Sequence, residues 1–427
     1  MTSLQNTEGS LSLLPKVIDL AKHVRSGDTV CWSHAGAEPS SVIAQLLAQR
    51  HELGGINVLL TGVSYGAALG PEHADAIRFY GIGGLGTHRA LTEARALDVL
   101  PCRFSDLPQM VDEGLVRAEV MIVAVSPPDA EGRVSLGPTV ALSHELLAHA
   151  RVTIAEVNPH IPYVLGDTLV PLDQFDVVVR SDRPAVVMPE PAPAGDRAKR
   201  ICATIAELVP DGATLQLGIG SIANTLPGFL RDHRRLGVHS AILTDGIMEL
   251  MRVGVADGSC KEIDPGIAVG GELIGTAELY RFADNNPHMQ LQRSARVLAP
   301  AVLGAFDRLV SVNGALQVDL TGQVNAEVMG DVHVGAVGGS VDFVRAAARA
   351  PHGRSIIALP STARGLSRIV PRLDAGVVTT ARCEVDTVVT EFGRAELRGL
   401  PVSERARALV AIAHPDHREA LADTVPL

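Results

Sequence analysis

Short apolar runs of strand length alternate with amphipathic stretches of helix length along this chain. The runs at 120–126, 151–157 and 355–360 (VMIVAVS, RVTIAEV and SIIALP) are rich in Val and Ile. Continuous apolar runs of this kind are typical of strands that are buried on both faces, and helices between them indicate βαβ units. We therefore expect an α/β fold built on mostly parallel, open sheets.

The Pro- and Ala-rich segment 187–197 (VMPEPAPAGDR) is typical of a linker. It predicts two domains, 1–190 and 191–427, in agreement with roughly 150 residues per domain. A weak internal repeat supports this division. GDTVCWSHAGAEPSSVIAQLL, from Gly27, and GATLQLGIGSIANTLPGFL, from Gly212, each suggest a turn, a strand, a loop of small residues and a helix. Two tandem domains of related topology would produce this similarity, and so would chance.

Composition narrows the function. The 427 residues carry a net charge of −11, and only 3% are aromatic, which disfavours nucleic acid and anionic membranes as partners. The five cysteines show no CxxC spacing, so neither a disulfide framework nor a metal site is expected. The chain has no apolar run of membrane-spanning length, and its first residues lack the pattern of a signal peptide. We expect a soluble, cytoplasmic protein.

Two glycine-rich loops are candidates for ligand binding. The first follows the strand-like TLQL and opens a predicted helix; its candidate residues are Gly218, Ile219, Gly220, Ser221 and Ile222. Glycines there would admit a ligand close to the backbone, and the helix N-terminus would offer N–H groups to an oxyanion. The second loop also precedes a predicted helix, and its candidates are Gly335, Gly338, Gly339 and Ser340. Paired glycines can admit a thin pantetheine arm, but they are equally typical of tight connections between packed elements.

Several longer motifs occur together in this chain. They are AEVNPHIPYVLGDTLV (155–170), TLQLGIG (214–220), SVNGALQVDLTGQV (311–324), VGGSVDF (337–343), TEFGRAELRG (390–399) and ERARALVAIAHPDHRE (404–419). In these motifs and their order the chain closely resembles the acetyl-CoA hydrolase/transferase family of class I CoA-transferases, which includes 4-hydroxybutyrate CoA-transferases. The resemblance implies two tandem open-sheet α/β domains of the CoA-transferase type and a homo-oligomer, most simply a dimer. It also implies CoA or acyl-CoA as substrate, with no tightly bound cofactor. No pair of histidines shows the spacing of metal ligands, so no metal is expected.

The resemblance further implies covalent catalysis, in which a glutamate attacks the thioester and then carries CoA as a glutamyl thioester. The family places this glutamate in a stretch resembling H-[ST]-E-x-x-[ST]-D-G, whereas here residues 239–246 are HSAILTDG. The glutamate position is therefore Ala241, and a methyl group cannot attack a thioester. The second loop also departs from the family pattern, at Ala336 and Ser340. These changes favour an acyl-CoA enzyme with altered chemistry. A transferase with a relocated carboxylate and a non-catalytic acyl-CoA-binding protein are the alternatives.

Three residues are candidates for acid or base chemistry. Glu272 lies in the otherwise apolar segment IAVGGELIGTAELY, where a carboxylate must find a partner, face solvent or be protonated. Asp245 belongs to the family frame and is also explained as a cap of the following helix. His34 lies in the loop SHAGAEP; like His239, it is either a proton shuttle or a packed histidine. Cys260 is a weaker candidate, because no adjacent residue would activate its thiol.

Overall fold

The chain forms two compact units. The computed structural model describes residues 13–66, 69–189, 193–373 and 376–425. The first unit consists of the chain up to Pro189 together with Gly270–Arg296, and the second consists of Glu190–Val269 and Val297–Leu427. The domains 1–190 and 191–427 stay predictions, and residues 190–192 of the predicted linker lie outside the described residues. The contacts assign 270–296, which carries Glu272, to the first unit.

A parallel sheet forms the centre of the first unit. In the described residues its strands are β1 (Thr29–Trp32), β2 (Ile56–Leu60), β3 (Ile77–Gly81), β4 (Leu97–Val99), β5 (Val120–Val125), β6 (Val152–Val157) and β7 (Val177–Arg180). Their order is β7-β6-β5-β1-β2-β3-β4, and every neighbouring pair is parallel. Val30, Val58, Phe79 and Ile122 are buried in the core along these strands. Burial on both faces explains the continuously apolar sequence of the central strand β5, in which every residue is buried.

Shorter elements surround this sheet. The helices of the first unit are Ser40–Gln49, Arg89–Glu93, Leu107–Asp112, Ser143–His149 and Ala277–Ala283, with 3₁₀ turns at Leu20–Lys22, Ala35–Ala37, Arg50–Leu53, Pro71–Asp75, Phe104–Asp106 and Leu172–Gln174. Its short strands are Arg133–Ser135, Leu165–Gly166, Leu169–Pro171, Glu272–Leu273 and Met289–Leu291. The segment Gly270–Arg296 also belongs to this unit. The strand Ala268–Gly270 lies at its start, and the helix Ser294–Val297 lies at its end.

A second sheet forms the centre of the second unit. Its strands in the described residues are β8 (Thr214–Leu217), β9 (Gly237–Val238), β10 (Leu309–Gly314), β11 (Arg354–Ala358), β12 (Thr387–Thr390) and β13 (Gly393–Glu396). Their order is β9-β8-β10-β11-β12-β13, and only the edge strand β13 is antiparallel to its neighbour. A core that includes Val344, Ile357, Val388 and Leu409 lies against this sheet.

The helices of the second unit are Asp196–Ala206, Ser221–Thr225, Asp245–Arg252, Pro300–Leu303, Ser340–Arg349, Val402–Ile412 and Pro415–Ala422, with a 3₁₀ turn at Leu226–Phe229. Its short strands are Ile242–Leu243, Gln317–Asp319, Val324–Asn325, Val328–Met329, Val332–His333, Thr362–Ala363, Leu366–Ser367 and Ile369–Val370. No helix of the described residues is long and apolar enough to cross a membrane.

Each sheet contains a point at which the strand order reverses. In the first sheet β1 lies between β2 and β5, and in the second sheet β8 lies between β9 and β10. Loops that leave neighbouring parallel strands in opposite directions open a crevice at the carboxyl ends of those strands, where α/β proteins bind ligands. His34 follows β1 and Gly218 follows β8, so the structure places both loops of the internal repeat at such a point. The strands predicted at 120–126, 151–157 and 355–360 are confirmed as β5, β6 and β11.

Candidate active site

His34 occupies the reversal point of the first sheet. It lies two residues after the end of β1 and immediately before the 3₁₀ turn Ala35–Ala37. Ala35 has a φ of +52°, a conformation that costs free energy for a residue with a Cβ, and its N–H donates to the carbonyl of Val63 at 2.8 Å. Strain of this kind persists only where neighbouring contacts enforce it. The loop after β2, which contains Val63, therefore helps to fix the position of the His34 side chain.

Glu272 is brought to His34 by a third segment. The residues 138–141 pair with the chain around Glu272: Thr139 forms a bridge with Glu272, and the N–H of Leu273 donates to Pro138 at 2.7 Å. The Thr139 hydroxyl in turn donates to the carbonyl of His34 at 3.1 Å. Thr139 therefore contacts both His34 and Glu272, and it holds these two residues, which are far apart in the sequence, next to each other in the first unit.

The His34 and Glu272 side chains form a close pair. His34 Nε2 lies 3.1 Å from Glu272 Oε2, with only 7% and 13% of the two side chains exposed. The contact lacks the alignment of a hydrogen bond, so neither atom has a hydrogen-bond partner among the described residues. Phe104 contacts the edge of the imidazole, with ring centroids 6.5 Å apart. The sequence left open whether the Glu272 carboxyl group faces solvent or contacts another side chain. The structure shows that it contacts His34 and is largely removed from solvent.

Two further residues, which the sequence analysis did not single out, lie on neighbouring loops and interact electrostatically with the His34–Glu272 pair. His88 is 2% exposed, and neither of its ring nitrogens has a hydrogen-bond partner among the described residues. Burial, and next the neighbouring His34, lower the pKa of His88 to about 4, so its ring is neutral at pH 7. Burial, and next the charge of Glu272, raise the pKa of Tyr65 to about 12, so its phenol keeps its proton. The sequence signal that could have indicated them is their position in glycine-containing loops, Tyr65 after β2 and His88 after β3.

Hydrogen bonds between neighbouring loops hold His88 in place. Ser64 forms a bridge with Gly86, and its carbonyl accepts from the N–H of Thr87 at 2.9 Å. A side chain at Gly86 would meet the Ser64 carbonyl at 2.0 Å, and the φ of +61° also favours glycine there. The carboxylate of Glu38 accepts from the N–H of Tyr65 at 3.0 Å. The loops that carry His34, Tyr65 and His88 are therefore tied together at the carboxyl edge of the sheet.

Gly62 leaves the space that the His34 ring fills. A Cβ at this position would lie 2.2 Å from Cδ2 and 2.4 Å from Nε2 of His34. We expect Gly62→Ala to displace the imidazole from Glu272 and to lower kcat/KM by about 10²-fold, the lower end for loss of an acid–base group. The measurement is acyl-CoA turnover together with the melting temperature. Gly228→Ala is the control, because a Cβ at Gly228 meets no atom within 4 Å. Equal activity of both variants would contradict a role of the His34–Glu272 contact in turnover.

The loop 218–222 occupies the reversal point of the second sheet. Below it, the side chains of Gln216, Ser311 and Asn313 form a buried network in which Ser311 Oγ donates to Gln216 Oε1 at 2.6 Å and Asn313 Nδ2 donates to the same oxygen at 3.0 Å. A Cβ at Gly218 would lie 3.4 Å from Asn313 Oδ1, an ordinary contact. Buried polar side chains that are hydrogen-bonded to one another therefore lie directly beneath this loop.

The rest of this loop faces outward. Ile219 is 41% exposed, an unusual position for an aliphatic side chain. Gly220 has a φ of +109°, which favours glycine, and Ser221–Thr225 forms the predicted helix. The first N–H groups of a helix have no partner within it. Binding of an oxyanion by Gly218, Ile219, Gly220, Ser221 and Ile222 stays a prediction.

The stretch 239–246 is anchored beside this loop. His239 is fully buried, donates from Nε2 to the Val297 carbonyl at 2.9 Å, and packs 4.9 Å from Phe306 between ring centroids. Of the two alternatives for His239, a proton shuttle or a packed histidine, this environment is that of a packed histidine. Ser240 Oγ donates to the carbonyl of Leu217 at 3.1 Å, so Ala241, half-buried, follows a residue that is bonded to the start of the loop.

Asp245 begins the helix Asp245–Arg252, and the cap position is taken by Thr244. The cap was expected at Asp245, and the structure places it one residue earlier. A carboxylate in the first turn stabilises a helix through its dipole, which gives Asp245 a structural role at this position. The catalytic assignment of Asp245 stays a prediction.

Two of the three glycines in the second loop have packing roles. A Cβ at Gly335 would lie 2.2 Å from the Ala326 carbonyl, and one at Gly339 would lie 2.9 Å from the Leu298 side chain. Gly338 has a φ of +57°. Ser340 begins the predicted helix Ser340–Arg349, and its hydroxyl donates to the Val337 carbonyl at 2.9 Å. Close packing accounts for Gly335 and Gly339, and the backbone conformation accounts for Gly338. Contact of this loop with pantetheine stays a prediction.

The comparisons with known proteins cover both units. The models of the acetyl-CoA hydrolase/transferase N-terminal and C-terminal domains match residues 14–189 and 275–425. The chain belongs to the acetyl-CoA hydrolase/transferase family. It is 38% identical to the 4-hydroxybutyrate coenzyme A transferase of Clostridium kluyveri over 404 residues, which cover 93% of this chain and 94% of the relative.

Two solved structures of similar length share the fold of this family member. RipA from Yersinia pestis superimposes with a TM-score of 0.89 at 33% identity, and the 4-hydroxybutyrate CoA-transferase from Porphyromonas gingivalis with a TM-score of 0.79 at 34% identity. Each alignment covers 95% of this chain and 94% of the other chain. The expected CoA-transferase type of α/β fold is thereby confirmed.

The weaker candidate Cys260 lies away from the loop 218–222. Cys260 contacts the position of Gly212, whose Cβ would lie 3.4 Å from its sulfur. Gly212 precedes β8 and the loop 218–222 follows it, so Cys260 lies at the opposite edge of the sheet from that loop. No group of three or more His, Cys, Asp and Glu side chains in the described part of the chain could hold a metal ion.

Proposed function

We propose that this protein is an acyl-CoA-processing enzyme that transfers the acyl group to water or to a nucleophile within the substrate, without an enzyme glutamyl-CoA intermediate. The observation that carries the proposal is the buried contact between His34 Nε2 and Glu272 Oε2 at 3.1 Å. It supplies an acid–base pair in a chain whose resemblance to the family places Ala241 at the nucleophile position. The family description, which includes both hydrolases and transferases, is compatible with either acceptor.

In this mechanism the pair His34–Glu272 takes the proton of an attacking O–H group. The oxygen bonds to the thioester carbonyl carbon, and the carbon–sulfur bond then breaks. The departing thiolate receives the proton back from the pair and leaves as CoA. Attack by water yields a carboxylic acid and CoA; attack by a hydroxyl of the acyl chain yields a lactone and CoA. General base catalysis of this kind contributes about 10²–10⁴-fold to a rate.

The loops of the second unit have binding roles in this proposal. The N–H groups of Gly220, Ser221 and Ile222 at the start of a helix would stabilise the oxyanion that forms on the thioester. The exposed side chain of Ile219 would contact an apolar part of the ligand. The segment around Gly338 would lie along the pantetheine arm. The cytoplasmic location and the homodimer remain predictions from the sequence.

The test is mass spectrometry of purified protein mixed with a panel of acyl-CoAs in ¹⁸O-labelled water, with and without acetate. We expect loss of one acyl-CoA and release of CoA that do not depend on acetate. A single ¹⁸O atom in the acid product identifies hydrolysis, and an unlabelled product lighter by one water identifies cyclisation.

Two outcomes would contradict the proposal. Formation of acetyl-CoA from acetate, with a residue trapped as its alcohol by borohydride, would identify a CoA-transferase with a relocated carboxylate; a trapped Glu272 would make that residue the nucleophile. Binding of acyl-CoA without any turnover would identify a non-catalytic acyl-CoA-binding protein. Heat-denatured protein is the control for spontaneous thioester cleavage.

A further inference from the structure

We propose that His34, His88, Glu272 and Tyr65 form a binding site for a neutral hydroxyl group, supplied by water or by the acyl chain, and that this site excludes a carboxylate acceptor. We call these four residues the hydroxyl site. The inference rests on the proposed function for its chemical meaning, because the bound hydroxyl would be the nucleophile. It goes beyond that function by naming the acceptor class and by assigning a binding role to His88.

The first argument is the hydrogen-bonding capacity of the site. Both nitrogens of His88, Nε2 of His34 and Oε2 of Glu272 are buried without hydrogen-bond partners in the described residues. Buried polar atoms that stay unsatisfied destabilise a folded protein, so a ligand that satisfies them is favoured. A neutral imidazole offers one donor and one acceptor, and a carboxylate offers only acceptors. A hydroxyl both donates and accepts, so one such group can satisfy an acceptor and a donor at the same time.

The second argument is charge. No lysine or arginine of the described residues forms an ion pair with Glu272, whose recorded partner is His34. Neutral His88 and protonated Tyr65 add no positive charge. A carboxylate ligand placed here would lie beside the carboxyl group of Glu272 with no lysine or arginine to pair with it, and burial of an unpaired charge carries a large desolvation cost. A neutral hydroxyl avoids that cost.

The third argument is position. His34 follows β1 at the reversal point of the first sheet, and the loops with Tyr65 and His88 follow the neighbouring strands β2 and β3. The carboxyl ends of parallel strands are the usual ligand-binding edge of an open α/β sheet. The site therefore lies where the fold binds ligands, independently of any family motif.

The experiment measures binding of non-hydrolysable thioether analogues by calorimetry. The probes are S-butyl-CoA, S-(4-hydroxybutyl)-CoA and S-(3-carboxypropyl)-CoA, with homologues one carbon shorter and longer. We expect the hydroxyl analogue of one chain length to bind about tenfold more tightly than its alkyl counterpart, the gain from one well-placed hydrogen bond to a charged group. The carboxylate analogue should bind no better than the alkyl analogue.

The variant His88→Phe tests the assigned residue. It keeps an aromatic ring but removes both nitrogens, so the preference for hydroxyl over alkyl should fall from about tenfold to less than about threefold. His88→Gln, which keeps a donor and an acceptor, should retain part of the preference and replaces the Phe variant if that variant fails to fold. His149→Phe is the matched control, because His149 is half-exposed in the same unit.

Each outcome bears on the inference. Equal binding of alkyl and hydroxyl analogues, with hydrolysis lowered in His88→Phe, identifies water as the hydroxyl that is bound. Equal binding with unchanged hydrolysis in His88→Phe, or tightest binding of the carboxylate analogue, overturns the inference. Because thioethers are not turned over, a hydroxyl preference in a protein that cleaves no acyl-CoA contradicts the proposed function alone.

Discussion

Glu272→Gln is expected to lower kcat/KM for the acyl-CoA substrate by about 10²–10⁴-fold, the range for loss of a general base. The amide keeps the shape of the side chain and its strand pairing through the backbone of Thr139, but it cannot take a proton. His34→Gln should lower kcat/KM to a similar extent. Since the two residues act as one pair, the double variant should be scarcely slower than either single variant. Steady-state kinetics of the four proteins provide the measurement.

The surface pair His149–Asp112 is the matched control for this cycle. Its His Nε2 and Asp Oδ1 lie 3.0 Å apart, but both side chains are about half-exposed. His149→Gln and Asp112→Asn should leave kcat/KM within about twofold of the wild type, because an exposed pair contributes little and plays no part in the reaction. Multiplicative losses in His34→Gln/Glu272→Gln would mean independent roles, and an unchanged rate in Glu272→Gln would remove it from the mechanism.

Much of the fold could be predicted because the strands are marked locally. The runs at β5, β6 and β11 are rich in Val, Ile and Ala, a composition typical of strands buried on both faces. The small-residue loops after β1 and β8 were also visible as an internal repeat. What the sequence does not contain is the order of strands in the sheets. The reversal points at β1 and β8, which give those loops their importance, appear only once neighbours are known.

The segment 270–296 shows the same limit more sharply. Its sequence lies well beyond the predicted linker, yet the contacts place it in the first unit. The pairing depends on backbone hydrogen bonds from Leu273 to Pro138 and from Val140 to Gly271. Such bonds carry no side-chain signature, so no periodicity could reveal them. The suspicion about Glu272 came from a charged residue in an apolar strand, but its partner His34 could not be named from that observation.

Histidines and glycines were ambiguous for a similar reason. His34 and His239 each follow a buried strand, and sequence alone leaves the same two alternatives for both. Only packing separates them: His239 lies against Phe306 and bonds to a carbonyl, whereas His34 meets a carboxylate. Likewise the glycines at 335 and 339 are explained by neighbouring atoms that a Cβ would strike. These atoms belong to residues 326 and 298, beyond the reach of a local pattern.

Ala241→Glu is expected to create acetate-dependent CoA exchange, which the proposed function denies to the wild type. The position follows Ser240, which is hydrogen-bonded to Leu217 at the start of the loop 218–222. A carboxylate introduced at 241 would thus be held beside backbone N–H groups suited to an oxyanion. Because the family resemblance assigns the nucleophile to this position, the added group should attack the thioester and form a glutamyl-CoA thioester. Exchange of labelled acetate into acetyl-CoA is the readout.

Ala241→Gln is the control, since it adds the same bulk without a nucleophilic oxygen anion. Exchange by Ala241→Glu should exceed that of the control by at least about tenfold, equivalent to 1.36 kcal/mol in the barrier. Borohydride should trap residue 241 as its alcohol, and adding Glu272→Gln should abolish water-dependent turnover while exchange persists. That separation would assign the two carboxylates to two different chemistries. Folded Ala241→Glu without any exchange would instead mean that the binding loops, with Ala336 and Ser340, no longer support attack from position 241.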